Sequence, residues 1–231
     1  MRDTLIQVQG LNSYYGASHI LRNIDFNVKR GETIGLMGRN GMGKSTLLKL
    51  IYANYRATTG QIQVRQSDGT YLDLTEASPR QLVRMRRDTV GYVSQFLRVI
   101  PRVSALDVVA ESLVEDAADQ ADAIEAARAQ ARVWLTRLRI PERLWPLPPA
   151  TFSGGEQQRV NIARNMIKPR SVLLLDEPTA SLDAANTQTV MDLIQETVAR
   201  GTAVVGIFHD AHVGQAVATR RIDVAQFRMS V

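Results

Sequence analysis

The feature that most constrains this chain is a glycine-rich loop standing between a short apolar strand and a helix. The strand covers Thr33–Met37, the helical pattern starts at residue 46, and the intervening sequence is Gly38-Arg39-Asn40-Gly41-Met42-Gly43-Lys44-Ser45. Glycines let the backbone turn so tightly that successive N–H groups converge on one anion, and the positive end of the following helix adds to the attraction. This order of elements predicts a phosphate-binding loop on an α/β sheet.

The side chains at the end of this loop suit a nucleoside triphosphate. Lys44 would contact the β- and γ-phosphates, and the Ser45 hydroxyl would coordinate Mg²⁺. We expect the other phosphate contacts to come from the loop and from the first turn of the helix, namely from Gly38, Arg39, Asn40, Gly41, Gly43 and Thr46. The sequence thus predicts a triphosphate and Mg²⁺ as cofactors.

A second apolar strand ends in two adjacent carboxylates, Asp176 and Glu177. Because the carboxyl ends of parallel strands face the ligand crevice, both acids are expected beside the phosphate loop. Asp176 fits a partner of Mg²⁺, and Glu177 fits a general base that takes a proton from the attacking water. His209 follows the apolar run 202–208, so the same reasoning brings it to this edge.

A second arrangement suited to an anion lies at Ser153, Gly154, Gly155 and Glu156, directly before a helical segment. It offers a serine hydroxyl, flexible backbone amides and a helix N-terminus. One chain does not need two such sites for one triphosphate.

Taken in order, these motifs resemble the ATP-binding cassette (ABC) ATPase family. In that family, the segment that residues 153–156 resemble closes on the γ-phosphate held by the opposite subunit. The resemblance implies ATP hydrolysis by a head-to-tail dimer with two ATP sites, either a homodimer or a heterodimer with another cassette. It also implies a role for four further places: Tyr15 stacking on adenine, Gln95 sensing Mg²⁺ and the attacking water, His209 contacting the γ-phosphate, and Ser181-Leu182-Asp183 crossing the dimer interface.

The resemblance implies one cassette over residues 1–231. It would have a RecA-like parallel-sheet core and an N-terminal antiparallel β subdomain in 1–95 and 168–231, with a helical subdomain at about 96–167. Apolar periodicity predicts these elements: two strands joined around Tyr14-Tyr15-Gly16, helix 46–55, hairpin strands 61–64 and 71–74, helix 79–86, strand 90–94, helices within 104–138, helix 156–167, and strands 171–175 and 202–208 linked by helix 184–200.

Composition excludes some classes of protein. The 231 residues include no cysteine, which rules out disulfides, thiol catalysis and cysteine metal sites. The net charge of +5 is mild and without a long basic run, so we expect no nucleic-acid partner. The N-terminus lacks an apolar signal core, and no apolar run approaches the ~20 residues that cross a bilayer. A cytoplasmic protein is expected, peripheral at the inner membrane if it serves transport.

The process that ATP hydrolysis would drive has to be inferred from segments outside the shared ATPase motifs. Two parts of the chain resemble different members of the family. From about Tyr52 onward, and above all over residues 94–106 and 141–145, the chain looks like the ABC subunits of phosphonate carbon–phosphorus lyase systems. The first fifty residues look more like the ATPase subunits of branched-chain amino acid and urea importers. The main expectation is an accessory ATPase that docks on lyase subunits; Arg98 and Arg102 would either bind acidic groups of the partner or simply be solvated. The alternative is an importer ATPase that docks a membrane permease for a small polar solute.

Overall fold

The computed structural model describes residues 3–95, 97, 101–114 and 121–227. Its strands, in chain order, are β1 (Thr4–Tyr15), β2 (Ser18–Lys29), β3 (Thr33–Met37), β4 (Thr59–Arg65), β5 (Tyr71–Asp73), β6 (Val90–Val93), β7 (Val172–Asp176), β8 (Ala203–Ile207) and β9 (Arg220–Asp223). Its helices are α1 (Lys44–Ile51), α2 (Pro79–Asp88), α3 (Ala105–Val114), α4 (Ala121–Arg137), α5 (Gly154–Met166), α6 (Ala184–Ala199) and α7 (Ala211–Val217), with short 3₁₀ turns at Glu142–Leu144, Pro149–Thr151 and Val224–Phe227.

The chain divides into two compact units. The core unit comprises Met1–Tyr92, Arg170–Asp176 and Ile194–Val231, and the helical unit comprises Val93–Pro169 and Glu177–Leu193. The division is discontinuous in sequence, because the chain leaves the core unit near the end of β6, returns to it for β7, and leaves it again from Glu177 until a point within α6.

An antiparallel sheet in the core unit has the strand order β2-β1-β4-β5. Along β1 and β2 the buried residues recur between half-buried and exposed ones, so one face of the sheet is covered more than the other. The turn between β4 and β5 contains Gly69 at φ 87°, which is the left-handed conformation expected of the Asp68-Gly69 pair. The predicted antiparallel β region is confirmed.

A second sheet has the order β6-β7-β8-β3-β9, with parallel pairing of β7 to β8, β8 to β3 and β3 to β9. Strands β7 and β8 are buried along their whole length. Continuous apolar strands of this kind are typical of a parallel sheet covered on both faces. The α/β class with a parallel core is thereby confirmed.

The helical unit contains α3, α4 and α5. Buried side chains such as Val109, Ala131, Leu135 and Val160 form its interior. The proline-rich connector before α5 is closed by Trp145, whose indole Nε1 donates to the carbonyl of Ile140 at 3.0 Å. Nothing in the described part of the chain is both long and apolar enough to be a membrane-spanning helix.

Some element boundaries differ from the sequence prediction. Helix α1 begins at Lys44 and ends at Ile51 rather than covering 46–55, because Ala53 has φ 57° and the chain leaves the helix there. Helix α7 and strand β9 were not predicted. Strand β9 reads Arg-Arg-Ile-Asp with only Ile222 buried, so it carries no recognisable apolar run.

Candidate functional site

The phosphate loop, residues 38–45, connects β3 to α1. Gly38, Gly41 and Gly43 have φ of 130°, 78° and 91°, which side-chain-bearing residues rarely adopt. At Gly43 a Cβ atom would also lie 2.9 Å from Leu21 Cδ2 and 3.0 Å from Ile20 Cγ2, so these side chains would have to move to admit it. Gly43 gives α1 no side-chain cap, which leaves the first-turn amides of this helix available to an anion.

Lys44 turns back over this loop. Its Nζ donates to the carbonyls of Gly38 at 2.6 Å and Arg39 at 3.1 Å, so the ammonium lies within the curve of the loop. Arg39, Asn40 and Gly41 are exposed at its tip. An ammonium and uncapped helix amides directed to one place form a donor set that fits a phosphate group.

The loop is joined to β7 through Ser45. Its hydroxyl donates to Asp176 Oδ1 at 3.0 Å, and Asp176 is almost completely buried. The other carboxylate oxygen, Oδ2, accepts a 3.0 Å hydrogen bond from the hydroxyl of Tyr92 on β6. Burial, reinforced by the negative charge of Asp176, raises the pKa of Tyr92 far above its ordinary value, so its hydroxyl stays a donor. Hydroxyl and carboxylate oxygens are ligands suited to Mg²⁺.

Strand register brings the ends of β3, β8 and β7 to one edge. Gly35 pairs with Gly206, Gly206 pairs with Leu175, and Asp176 pairs with Ile207. The phosphate loop, Asp176 and the segment carrying His209 therefore leave the parallel sheet on the same side. His209 is exposed two residues after β8, and the next residue, Asp210, caps α7 through the N–H of His212 at 2.7 Å.

Glu177 follows Asp176 with φ 51°, a left-handed conformation that is costly for a residue with a side chain. Its carbonyl accepts from the N–H of Ala180 at 3.3 Å, and its side chain is half-buried. Strained backbone of this kind clusters at functional sites. The chain thus turns away from the direction of β7 at Glu177, the residue predicted to be the general base.

The serine–glycine turn, residues 153–156, begins α5 in the helical unit. Ser153 and Glu156 form a capping box, in which Ser153 N–H donates to Glu156 Oε2 at 2.9 Å. The hydroxyl and amide of Ser153 both bond to Glu156 and lower its pKa. A Cβ at Gly155 would lie 2.8 Å from the Ser181 carbonyl oxygen, whereas one at Gly154 would meet nothing within 4 Å. The turn is therefore packed on one side and open on the other.

Two buried amides of α5 were missed by sequence reasoning. Gln158 Nε2 donates to the carbonyls of Ser94 at 3.5 Å and Pro178 at 3.3 Å, and Asn161 Nδ2 donates to Ser94 O at 2.8 Å. Within the described part of the chain, Gln158 Oε1 is buried without a hydrogen-bond partner. Ser94 and Pro178 are the neighbours of Gln95 and Glu177. The only sequence signal was a pair of amides three residues apart on one helix face.

Arg159 also anchors this part of the helical unit. Its guanidinium donates to Arg139 O at 3.1 Å and to Asn186 Oδ1 at 2.9 Å, and burial lowers its pKa. Asn186 in turn donates its N–H to Asp183 Oδ1 at 2.8 Å. The contacts tie α5 to the start of α6 and to the loop 181–183.

The remaining predicted residues are exposed. Tyr15 ends β1 and is 84% exposed, whereas its neighbour Tyr14 stacks on His19 with ring centroids 4.0 Å apart. A free ring face at Tyr15 suits stacking on a base. Gln95 is also exposed, and it belongs to the helical unit. Phe96 and Arg98, from the segment expected to face a partner, lie outside the described residues.

The fold and the loop define a nucleotide-binding α/β protein of the phosphate-loop class. A comparison with family models matches the ABC transporter family over residues 21–180. The chain belongs to this family, and it is an ATPase, as the resemblance in the sequence implied.

Curated relatives and solved structures agree with this assignment. The chain is 34% identical over 215 residues to the lipoprotein-releasing system ATP-binding protein LolD of Shewanella sp. (strain MR-4), with 91% of this chain and 89% of that protein covered. It is 35% identical over 222 residues to the arginine transport ATP-binding protein ArtP of Haemophilus influenzae, covering 96% and 88%. The ATP-binding cassette MJ0796, solved as a dimer in a post-hydrolysis state bound to ADP and Pi, matches with a TM-score of 0.82 and 29% identity over 92% of this chain and 91% of that chain.

Proposed function

We propose that this chain is the ATP-hydrolysing subunit of an ABC transporter and that it docks on a membrane permease. Both relatives named above are ATP-binding proteins of a transport or release system, and each is covered over nearly its whole length. This proposal favours the alternative of the sequence analysis over its main expectation.

Phosphate binding is assigned to the loop and to Lys44, with adenine stacking on Tyr15. Mg²⁺ is assigned to Ser45, Asp176 and Gln95, and it would neutralise charge on the phosphates. Glu177 is the proposed base for the attacking water, and His209 the contact to the γ-phosphate. We also keep the proposal that residues 1–231 form one cassette.

A composite site is proposed at the interface of two cassettes. One copy supplies the phosphate loop, and its twin supplies the serine–glycine turn. The single observation that carries this idea is the open side of Gly154, where a Cβ would meet nothing within 4 Å, so the N-terminus of α5 has room for an anion there. The dimeric state of MJ0796 supports it by analogy.

The test is ATP-dependent dimerisation of Glu177→Gln, measured by size with and without Mg²⁺-ATP. Loss of the carboxylate base should stop turnover while ATP binding persists, so the dimer should accumulate. Glu125→Gln on α4, which removes an exposed carboxylate paired with Arg132, is the matched control and should hydrolyse ATP like the parent. Hydrolysis by Glu177→Gln at the parent rate would remove Glu177 from its role.

A second candidate is the accessory subunit of a carbon–phosphorus lyase system, which rests on sequence segments alone. The relatives named above give it no support. Trp145, one of its motivating residues, is engaged internally with Ile140 O, so its presence has a structural explanation. Affinity capture from a bacterium grown on phosphonate separates the candidates: a permease without lyase subunits supports transport, and lyase subunits without a permease support the second candidate. Charge reversal at Arg98 and Arg102 then tests whether they contribute to the captured interface.

A further inference from the structure

The carboxylate of Asp176 is held from both of its oxygen atoms. Ser45 donates to Oδ1 and Tyr92 donates to Oδ2, each at 3.0 Å. Only 6% of Asp176 is exposed, so solvent has little access to replace either donor. Two separate donors fix the rotation of the carboxylate plane as well as its place.

Tyr92 is itself held by a framework at the end of α1. Its ring contacts that of Tyr52 with centroids 5.0 Å apart. The guanidinium of Arg86 lies over the Tyr52 ring, 5.1 Å from its centroid. It also donates to the carbonyls of Tyr52 at 3.1 Å and Ala53 at 2.7 Å. The helix that follows the phosphate loop therefore also supports the residue that contacts Asp176.

We propose that Tyr92 is a positioning residue that orients Asp176 for Mg²⁺ and thereby sets the Mg²⁺ requirement of nucleotide binding. The inference rests on the proposed role of Ser45 and Asp176 at the metal. Tyr92 acts through Asp176 and does not touch the nucleotide in this assignment. Residues that orient a metal-binding side chain commonly affect metal affinity by about 10–100-fold.

The experiment compares Tyr92→Phe with the parent. Phenylalanine keeps the ring on Tyr52 and removes only the hydroxyl. Binding of a fluorescent ATP analogue is measured first in EDTA and then at increasing Mg²⁺. We expect equal affinity in EDTA within about twofold, and an increase of about tenfold in the Mg²⁺ concentration that gives half of the gain in affinity.

Tyr71→Phe is the matched control, because it removes another hydroxyl of the core unit, which donates to Thr4 O at 2.8 Å. It should leave the Mg²⁺ requirement unchanged. A double-mutant cycle with Asp176→Asn distinguishes action through the carboxylate from a mere loss of packing. The quantity measured is the effect of Tyr92→Phe on the Mg²⁺ requirement with and without the Asp176 carboxylate. If Tyr92 acts through the carboxylate, Tyr92→Phe should have no further effect on the Mg²⁺ requirement in the Asp176→Asn background.

Thermal unfolding checks that each variant is folded. Tyr52→Leu, which leaves Tyr92 in place but removes its support, serves as the second variant and should shift the requirement less in the same direction. Equal Mg²⁺ requirements in the parent, Tyr92→Phe and Tyr52→Leu would overturn the role of Tyr92 alone. A parent that binds the analogue equally with and without Mg²⁺ would overturn the metal assignment and this inference together, leaving the transport proposal untouched.

Discussion

Ser45 and Asp176 are 131 positions apart in the sequence, and the hydroxyl of the first donates to a carboxylate oxygen of the second at 3.0 Å. This contact joins the phosphate loop to the acidic end of β7. Strand β8 lies between β7 and β3 in the sheet. The phosphate loop after β3 therefore brings Ser45 across the end of β8 to reach Asp176, the last residue of β7. It makes Ser45 and Asp176, two of the three proposed Mg²⁺ ligands, part of one connected element of the core unit.

Replacement of Lys44 by alanine should abolish tight ATP binding. The ammonium lies within the curve of the loop and is the charged donor best placed for the β- and γ-phosphates. Equilibrium titration with a fluorescent nucleotide should give at least a tenfold loss, about 1.4 kcal/mol or more. Lys49→Ala removes the same charge from the same helix, where Lys49 lies over the ring of Tyr55, and should bind like the parent. An unchanged nucleotide affinity of Lys44→Ala would contradict the assignment of residues 38–45 as a phosphate-binding loop.

Adding one methyl group to each glycine of the serine–glycine turn should separate folding from dimerisation. Gly155→Ala would bring Cβ to 2.8 Å from the Ser181 carbonyl oxygen and should lower the free energy of unfolding by about 1–3 kcal/mol. The added methyl group of Gly154→Ala would have no atom within 4 Å, so this variant should unfold at the same urea concentration as the parent or at a slightly higher one. The measurement is urea denaturation of both variants.

If the twin's nucleotide occupies the open side of Gly154, Gly154→Ala should still weaken ATP-dependent dimerisation of a Glu177→Gln protein. Analytical ultracentrifugation with Mg²⁺-ATP gives the dimer fraction. A stable Gly154→Ala variant that dimerises fully would argue against a nucleotide at this place.

How far the sequence predicted the site depends on the range of the contacts. The places of the phosphate loop, Asp176 and Glu177 in the fold were predictable, because each motif is local and its flanking strand has a clear apolar run. Tyr92 was not, because its partner Asp176 lies 84 residues away and only the pairing of β6 beside β7 brings them together. Gln158 was also missed, because its partners Ser94 and Pro178 are distant in sequence. Its partners are backbone carbonyls, which leave no trace in a sequence pattern.

The capping box of α5 should make a small pH-dependent contribution to stability. Hydrogen bonds from Ser153 lower the pKa of Glu156 in the folded protein, so the folded state binds fewer protons than the unfolded state. The contribution is complete above the unfolded pKa of about 4.5 and is lost as pH falls through the lower folded value. Because Glu156 is only half-buried, solvent screens its carboxylate, and we expect less than ~1 kcal/mol.

Glu156→Gln isolates this contribution, because glutamine also completes a capping box but does not titrate. Urea denaturation between pH 7 and pH 3 should show the parent losing slightly more stability than Glu156→Gln below pH 4.5. Parallel curves for the two proteins would remove the carboxylate of Glu156 from the acid response.

Gln158 offers the sharpest test of whether the buried amides of α5 serve catalysis. Methionine has similar volume, yet it cannot donate to the carbonyls of Ser94 and Pro178. It also removes the unpartnered Oε1, so we expect a net loss of only about 1 kcal/mol in the free energy of unfolding. Because Pro178 follows Glu177, the hydrolysis rate should fall by about tenfold or more while ATP affinity stays within about twofold. Gln188→Met on the exposed face of α6 is the matched control and should leave both unchanged. A Gln158→Met protein with the parent's kcat would reduce this amide to a packing role.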